Sequence, residues 1–239
     1  MKKLTIIAIV VLSTFITGCS NSDYTKAPAA VRNPEQALEA NSQEYIIDSS
    51  DFYSVDPLGI SSEIKELTKN EEKWLTHMRE EEKLARDVYT TLGEKWQMKI
   101  FTNIANSEQT HTDSVKTLLE HYGIEDPVKN DAVGEFTLPE IKELYDDLVT
   151  KGSKSLTDAL TVGAIIEDLD IFDLDVAMSE TNKENINTVY SNLQKGSRNH
   201  MRAFMKQINN QGATYAPAYI SKELYDNIIS SSQEKGRMQ

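Results

Sequence analysis

The 239-residue chain sets 38 acidic side chains against 25 basic ones, a formal charge of −13, within a composition that is 39% hydrophobic and 26% charged. So acidic a chain is a poor match for nucleic acid or for electrostatic adhesion to anionic lipid. Its single cysteine, Cys19, leaves no disulfide and no thiolate metal site, so any metal must be held by oxygen and nitrogen ligands.

Met1-Lys2-Lys3 followed by an apolar run from Leu4 through Ile16 reads as an export signal, too short to span a bilayer in the mature protein. Ile16-Thr17-Gly18-Cys19 resembles the bacterial lipobox, which implies that residues 1–18 are removed and that Cys19 is acylated. The expectation is an exported protein held at the cell envelope through that lipid. Residues 19–62, rich in Ser, Asn, Asp, Ala and Pro, read as a flexible tether with a short apolar piece at Tyr45, Ile46 and Ile47. The domain is expected over residues 63–239.

Thr68-Lys69-Asn70-Glu71 fits a capping box, predicting a helix to about Leu92 with Gly93 as its stop. Its inward stripe is Trp74, Leu75, Met78, then Glu81 or Glu82, then Leu84, Ala85, Val88 and Tyr89. A second helix is predicted from Lys99 to Tyr122, ending at Gly123, with Phe101, Ile104, Glu108, His111, Val115 and Leu118 inward. The short connection makes these two antiparallel. A longer connection follows, holding a small helix from Pro139 to about Thr150. The third long helix opens at Ser155 and runs to about Ser179, with Leu160, Gly163, Glu167, Asp170 or Ile171, and Leu174 inward. The fourth runs from about Asn182 to Asn210, with Val189, Leu193, Ser197, His200, Phe204 and Ile208 inward. Gly212 closes it, and a short helix is expected from Ser221 to about Ser231. The fold class is therefore all-α, an antiparallel four-helix bundle with a long crossover between the second and third long helices.

Polar residues interrupt each apolar stripe near mid-helix: Glu82, Glu108 with His111, Glu167 with Asp170, and His200. Because rise per residue is the same in every helix, mid-helix positions meet at one depth whichever way each helix runs. Two like charges about 4 Å apart repel by roughly 4 kcal/mol at an effective dielectric near 20, so four convergent carboxylates call for cations or protons. Two divalent metals meet that need. Hard oxygen with imidazole favours iron, ahead of manganese or zinc.

Four segments carry a closer resemblance: Glu80 to Tyr89 (EEEKLARDVY), Asn103 to His111 (NIANSEQTH), Val162 to Ile171 (VGAIIEDLDI) and Gly196 to Phe204 (GSRNHMRAF). The plan resembles the ferritin-like superfamily of dinuclear carboxylate proteins. More closely, these segments are similar to an uncharacterised bacterial ferritin-like family known only as a domain of unknown function. The resemblance implies ligand positions at Glu82, Glu108, His111, Glu167 and His200. It also implies a Glu three residues before His200, where this chain has Ser197; Asp170, one turn after Glu167, would supply the missing carboxylate. Glu81 competes with Glu82, the loser being a solvated acid. Tyr89, Arg86, Arg198 and Arg202 are candidates to hydrogen-bond the ligating acids from behind. His77 and His121 read as surface or helix-end histidines.

The functional expectation is a lipoprotein whose two metal ions react with dioxygen or peroxide, as an oxidase or peroxidase. The alternatives are a non-enzymatic metal-binding, sensing or storage lipoprotein, and a structural bundle whose buried acids pair with Arg198 and Arg202. A homo-oligomer stays open, and nothing names an organic substrate.

Overall fold

The computed structural model describes residues 66–235. The expected signal peptide, Cys19, the tether and the piece at Tyr45 to Ile47 lie outside the described residues. Among the described residues there are six helices and no strand: α1 (Lys69–Trp96), α2 (Lys99–Tyr122), α3 (Pro139–Gly152), α4 (Leu156–Ser179), α5 (Glu184–Asn210) and α6 (Lys222–Ser230). None of these is long and apolar enough to cross a membrane.

Local chemistry sets most helix ends. Thr68 and Glu71 exchange hydrogen bonds, the Thr68 amide donating to Glu71 at 2.7 Å and the Glu71 amide to the Thr68 hydroxyl at 3.2 Å. Ser155 and Ser221 cap α4 and α6 in the same way, accepting from Asp158 and Leu224 amides. Gly123 and Gly212 follow α2 and α5 with φ of 66° and 70°, a conformation glycine adopts at little cost.

Gly93 is a correction. It does not stop α1 but lies inside it, where an added Cβ would come within 3.1 Å of Phe101 Cβ. The helix continues to Trp96, whose indole donates to the Gly152 carbonyl at 3.0 Å, and ends with Gln97 at φ 54°. The extra turn is therefore fixed by a partner in α3, which local sequence does not reveal.

The long helices form two hairpins, α1 with α2 and α4 with α5. Cross-helix pairs fix their sense: Tyr89 meets Gly163 while Trp74 meets Glu180, and Phe101 meets Phe204 while Tyr122 meets Asn185. Every neighbouring pair of long helices is thus antiparallel, so α2 and α4 run the same way across a diagonal. The crossover between them, with α3 packed on α1 and α4, makes that return possible.

Two acids anchor the connections. Asp168 on α4 accepts from the Tyr215 hydroxyl at 2.7 Å and from the Ala218, Tyr219 and Ile220 amides at 2.6, 3.1 and 2.9 Å. Asp87 on α1 accepts from Lys83 at 2.5 Å, Arg86 at 2.9 Å and the Gly134 amide at 3.0 Å.

The core divides into two apolar layers. One holds Leu84, Val88, Tyr89, Phe101, Ile104, Leu160 and Phe204; the other holds Leu75, Met78, Val115, Leu119, Leu174 and Leu193. Each fully buried aliphatic or aromatic side chain contributes about 1.5–3 kcal/mol relative to exposure, so these layers dominate bundle stability. Between them each long helix presents polar residues.

Candidate metal centre

Glu82 sits four residues beyond Met78 and two before Leu84, so α1 delivers it between the two apolar layers. Ile104 and Val115 bracket Glu108 and His111 on α2, Ile166 and Leu174 bracket Glu167 on α4, and Leu193 and Met201 bracket His200 on α5. The five side chains meet at one level, each 2% exposed or less.

Glu108 is the centre of the arrangement. One of its oxygens, Oε2, lies 2.7 Å from His111 Nδ1, and the other, Oε1, lies 2.8 Å from His200 Nδ1. His111 Nδ1 is also 3.1 Å from Glu82 Oε2, and His200 Nδ1 is 3.5 Å from Glu167 Oε2. Two triads result, Glu82 with Glu108 and His111, and Glu108 with Glu167 and His200, sharing one carboxylate. The imidazoles stack with centroids 5.5 Å apart. His200 Nε2 lies 3.1 Å from the Ser107 hydroxyl, which orients Nδ1 toward the acids. Ser107 was not singled out from sequence, although it is next to Glu108 on the inward stripe.

The electrostatics follow from burial and proximity. Burial acts to raise Glu108, but the two imidazoles outweigh it and hold its carboxyl below the usual range. Burial raises Glu82, and the nearby His111 does not fully offset this. Glu167 is raised by burial and by Glu108. Burial would lower His200, yet Glu108 and Glu167 push it up to about 9, and Glu108 and Glu82 raise His111 in the same sense. The layer therefore keeps protons at neutral pH where a cation would serve as well. Glu82 Oε1 is buried without a hydrogen-bond partner, a donor atom that a cation would engage.

Asp170 stands outside both triads. It is 5% exposed and its Oδ2 is hydrogen-bonded with the Ser197 hydroxyl, while Oδ1 has no hydrogen-bond partner. Burial first, and then Glu82 and Glu81, raise it well above an ordinary aspartate. The Ser197 hydroxyl donates to Asp170 Oδ2 and also lies 3.0 Å from the Leu193 carbonyl. Tyr89 donates to Glu167 Oε1 from below, with the Gly163 carbonyl 3.3 Å away.

Four expectations require correction. Arg198 and Arg202 do not reach the layer; both bind Glu234, and Arg202 also binds the Ile228 carbonyl, so they fasten the C-terminal segment to α5. The structural alternative built on their pairing with buried acids loses its geometry. Arg86 likewise turns away, to Asp87, Gln109 and Asp131. Glu81 is not a solvated acid: Glu80, Glu81 and Glu82 are 0%, 3% and 2% exposed. Glu80 accepts the Thr137 and Leu138 amides, and Glu81 meets His77 and Asp173. His77 thus belongs to a third acid and imidazole group, one whose i, i+4 spacing with Glu81 was visible in the sequence.

Comparison with known proteins locates the domain. The family described as "Uncharacterized protein domain (DUF2202)" matches residues 71–232, which contain every residue of the layer. The chain is 61% identical over 170 residues to the uncharacterized protein MJ0754 of Methanocaldococcus jannaschii, covering 71% of this chain and 92% of that one. The crystal structure of hypothetical protein MJ0754 from Methanococcus jannaschii matches with a TM-score of 0.71 at 59% identity, covering 73% of this chain and 99% of the other.

Proposed function

The chain belongs to the DUF2202 family, and we propose that its helical domain is a ferritin-like bundle built to hold two metal ions between its long helices. The diagonal return from α2 to α4 supports the ferritin-like reading. One observation carries the metal reading: the two oxygens of Glu108 face two different imidazole nitrogens, at 2.7 and 2.8 Å, and each imidazole faces a second acid.

In this reading Glu82 and His111 serve one ion, Glu167 and His200 the other, and Glu108 spans both. When bound, two reduced iron or manganese ions would supply electrons and open positions for reaction with dioxygen or peroxide. The chain's own residues prepare the site for that. Tyr89 fixes the orientation of Glu167 through its hydroxyl. The rings of Tyr89, Phe101 and Phe204, with centroids 5.2 to 6.4 Å apart, keep water from one side of the layer. Ser197 donates to Asp170 Oδ2 and so fixes that carboxyl beside the acids. The basic and apolar leader ending at Cys19 supports placing the domain at the cell envelope, tethered by lipid.

Ser197 favours a second reading, a non-enzymatic metal-binding protein. It engages Asp170, and that pair offers the layer one carboxylate fewer than a six-ligand set.

The test is metal content of the purified full chain beside its Glu108→Ala and His111→Ala variants, with helicity monitored by circular dichroism. A loss of about two ions per chain in both folded variants, relative to the unsubstituted chain, is the expected result. Equal metal in all three would overturn both readings. With metal present, absence of peroxide consumption and of oxygen uptake by the reduced protein would remove the enzyme and leave the second reading.

A further inference from the structure

His77, Glu81 and Asp173 lie beyond the layer just described, on the outward side of the seam between α1 and α4. His77 Nε2 is 3.3 Å from Glu81 Oε2 and 3.7 Å from Asp173 Oδ2, and the three ligand atoms lie within 4.8 Å of one another. Those separations are long for charge-assisted hydrogen bonds, which close to about 2.7–2.9 Å. They suit donor atoms arranged around an ion held at about 2.1 Å from each, which stand roughly 3 Å or more apart. The imidazole is set edge-on against Trp74, centroids 5.6 Å apart, which limits its rotation.

The group also opens in one direction. The side chains of His77 and Asp173 are 25% and 18% exposed, whereas that of Glu81 is 4% exposed. Both Glu81 carboxylate oxygens are buried and neither is met by a well-formed hydrogen bond, Oε2 having only His77 Nε2 at 3.3 Å. A buried carboxylate of this kind is costly unless a cation meets it. Further in along the same seam, Asp170 Oδ1 and Glu82 Oε1 are buried and unpartnered. Glu82 follows Glu81 directly in α1, and Asp170 precedes Asp173 by one turn of α4. Carboxylate oxygens with unused acceptor capacity thus run from the surface to the inner triads.

We propose that His77, Glu81 and Asp173 form a separate divalent-cation site at the outer end of this carboxylate line, and that it loads the inner centre. The loading role rests on the two-metal reading; the outer site does not. Hard oxygen with one imidazole suits iron, manganese, cobalt or zinc in the divalent state.

Cobalt(II) is a convenient probe, since its visible absorption reports imidazole and carboxylate coordination. The chelator-treated full chain should bind three equivalents. His77→Ala and Asp173→Asn should each remove one equivalent and slow the filling of the remaining two at least tenfold, without lowering their final occupancy. The double variant Glu108→Ala with His111→Ala should keep one equivalent. Asp173→Asn preserves shape at a partly exposed position, so it separates loss of a ligand from loss of fold. Wild-type stoichiometry and affinity in both outer variants would overturn the site, and an unchanged filling rate would overturn its loading role. One equivalent in the wild type, kept by the inner double variant and lost with His77→Ala, would reject the inner centre while retaining the outer site.

Discussion

At Gly163 the backbone of α4 passes so close to Phe204 that an added Cβ would fall 2.3–2.5 Å from three ring atoms. Phe204 is fully buried, with Tyr89 and Phe101 at centroid distances of 5.2 and 5.8 Å, so it has no room to swing aside. Gly163→Ala would gain up to about 1 kcal/mol of helix propensity. The overpacking it forces costs about 1–3 kcal/mol or more, and at this separation the steric term wins. The variant should unfold at lower urea concentration with an unchanged m-value, a net loss of about 1–2 kcal/mol. A more stable Gly163→Ala chain would show that the ring relaxes freely. Tyr89, which packs on Phe204, carries its hydroxyl to Glu167 and to the Gly163 carbonyl, so a shift of that ring would reach the site as well as the core.

The small helix α3 depends on α1 for its beginning. Its N-cap residue, Leu138, has no side chain able to accept a hydrogen bond, and Glu80 of α1 takes that role by accepting the Thr137 amide at 2.6 Å and the Leu138 amide at 2.7 Å. Hydrogen bonds to a charged acceptor are worth about 1.5–3 kcal/mol each, and the freed amides would be only partly rewetted, so Glu80→Ala should cost roughly 2–4 kcal/mol. Amide exchange should accelerate first over residues 137–142; uniform protection there would refute the cross-helix cap. Such features explain what sequence could and could not reveal. The Thr68 capping box, Gly123, Gly212 and the polar interruptions on apolar stripes are local or periodic, so they were legible. Glu80 and Asp168 satisfy amides 50 or more residues away, and no local pattern marks them. Glu81 looked solvated because one residue of helical rotation separates it from Glu82, and only the position of α4 shows that both directions are enclosed. Arg198 and Arg202 carry side chains long enough to reach either way, and Glu234 decided the direction.

Across the whole bundle, one buried layer gathers acids and imidazoles whose protonation is shifted, which gives stability a distinctive pH dependence, and in the proposed two-metal reading protons and metal ions would compete for it. His200 is raised to about 9 from its ordinary value near 6.5, so its contribution is complete below about 6.5 and is lost as pH rises through about 9. Glu82, Glu167 and Asp170, raised chiefly by burial, act in the same sense: each contribution is complete below the ordinary carboxylate range near 4 and declines as pH rises toward the raised folded value, because the unfolded chain ionises first. Glu234 has the opposite sign, held to about 2 by Arg198 and Arg202, and its contribution fades as pH falls from the ordinary carboxylate range toward 2. Its side chain is 33% exposed, so solvent screening reduces that effect. The chelator-treated chain should therefore melt highest near about pH 4.5 and lose melting temperature as pH rises to 9, with His200 adding to the decline above about 6.5. Metal binding requires deprotonated ligands, so the melting shift produced by manganese(II) should grow over that same range. General repulsion in a chain of charge −13 also increases with pH, and Glu82→Gln separates the two causes. An uncharged side chain at that position cannot ionise, so the variant should show a flatter decline without metal and a smaller manganese shift at pH 9. A decline of equal slope in Glu82→Gln would assign the pH dependence to surface charge and leave the buried layer without a part in it.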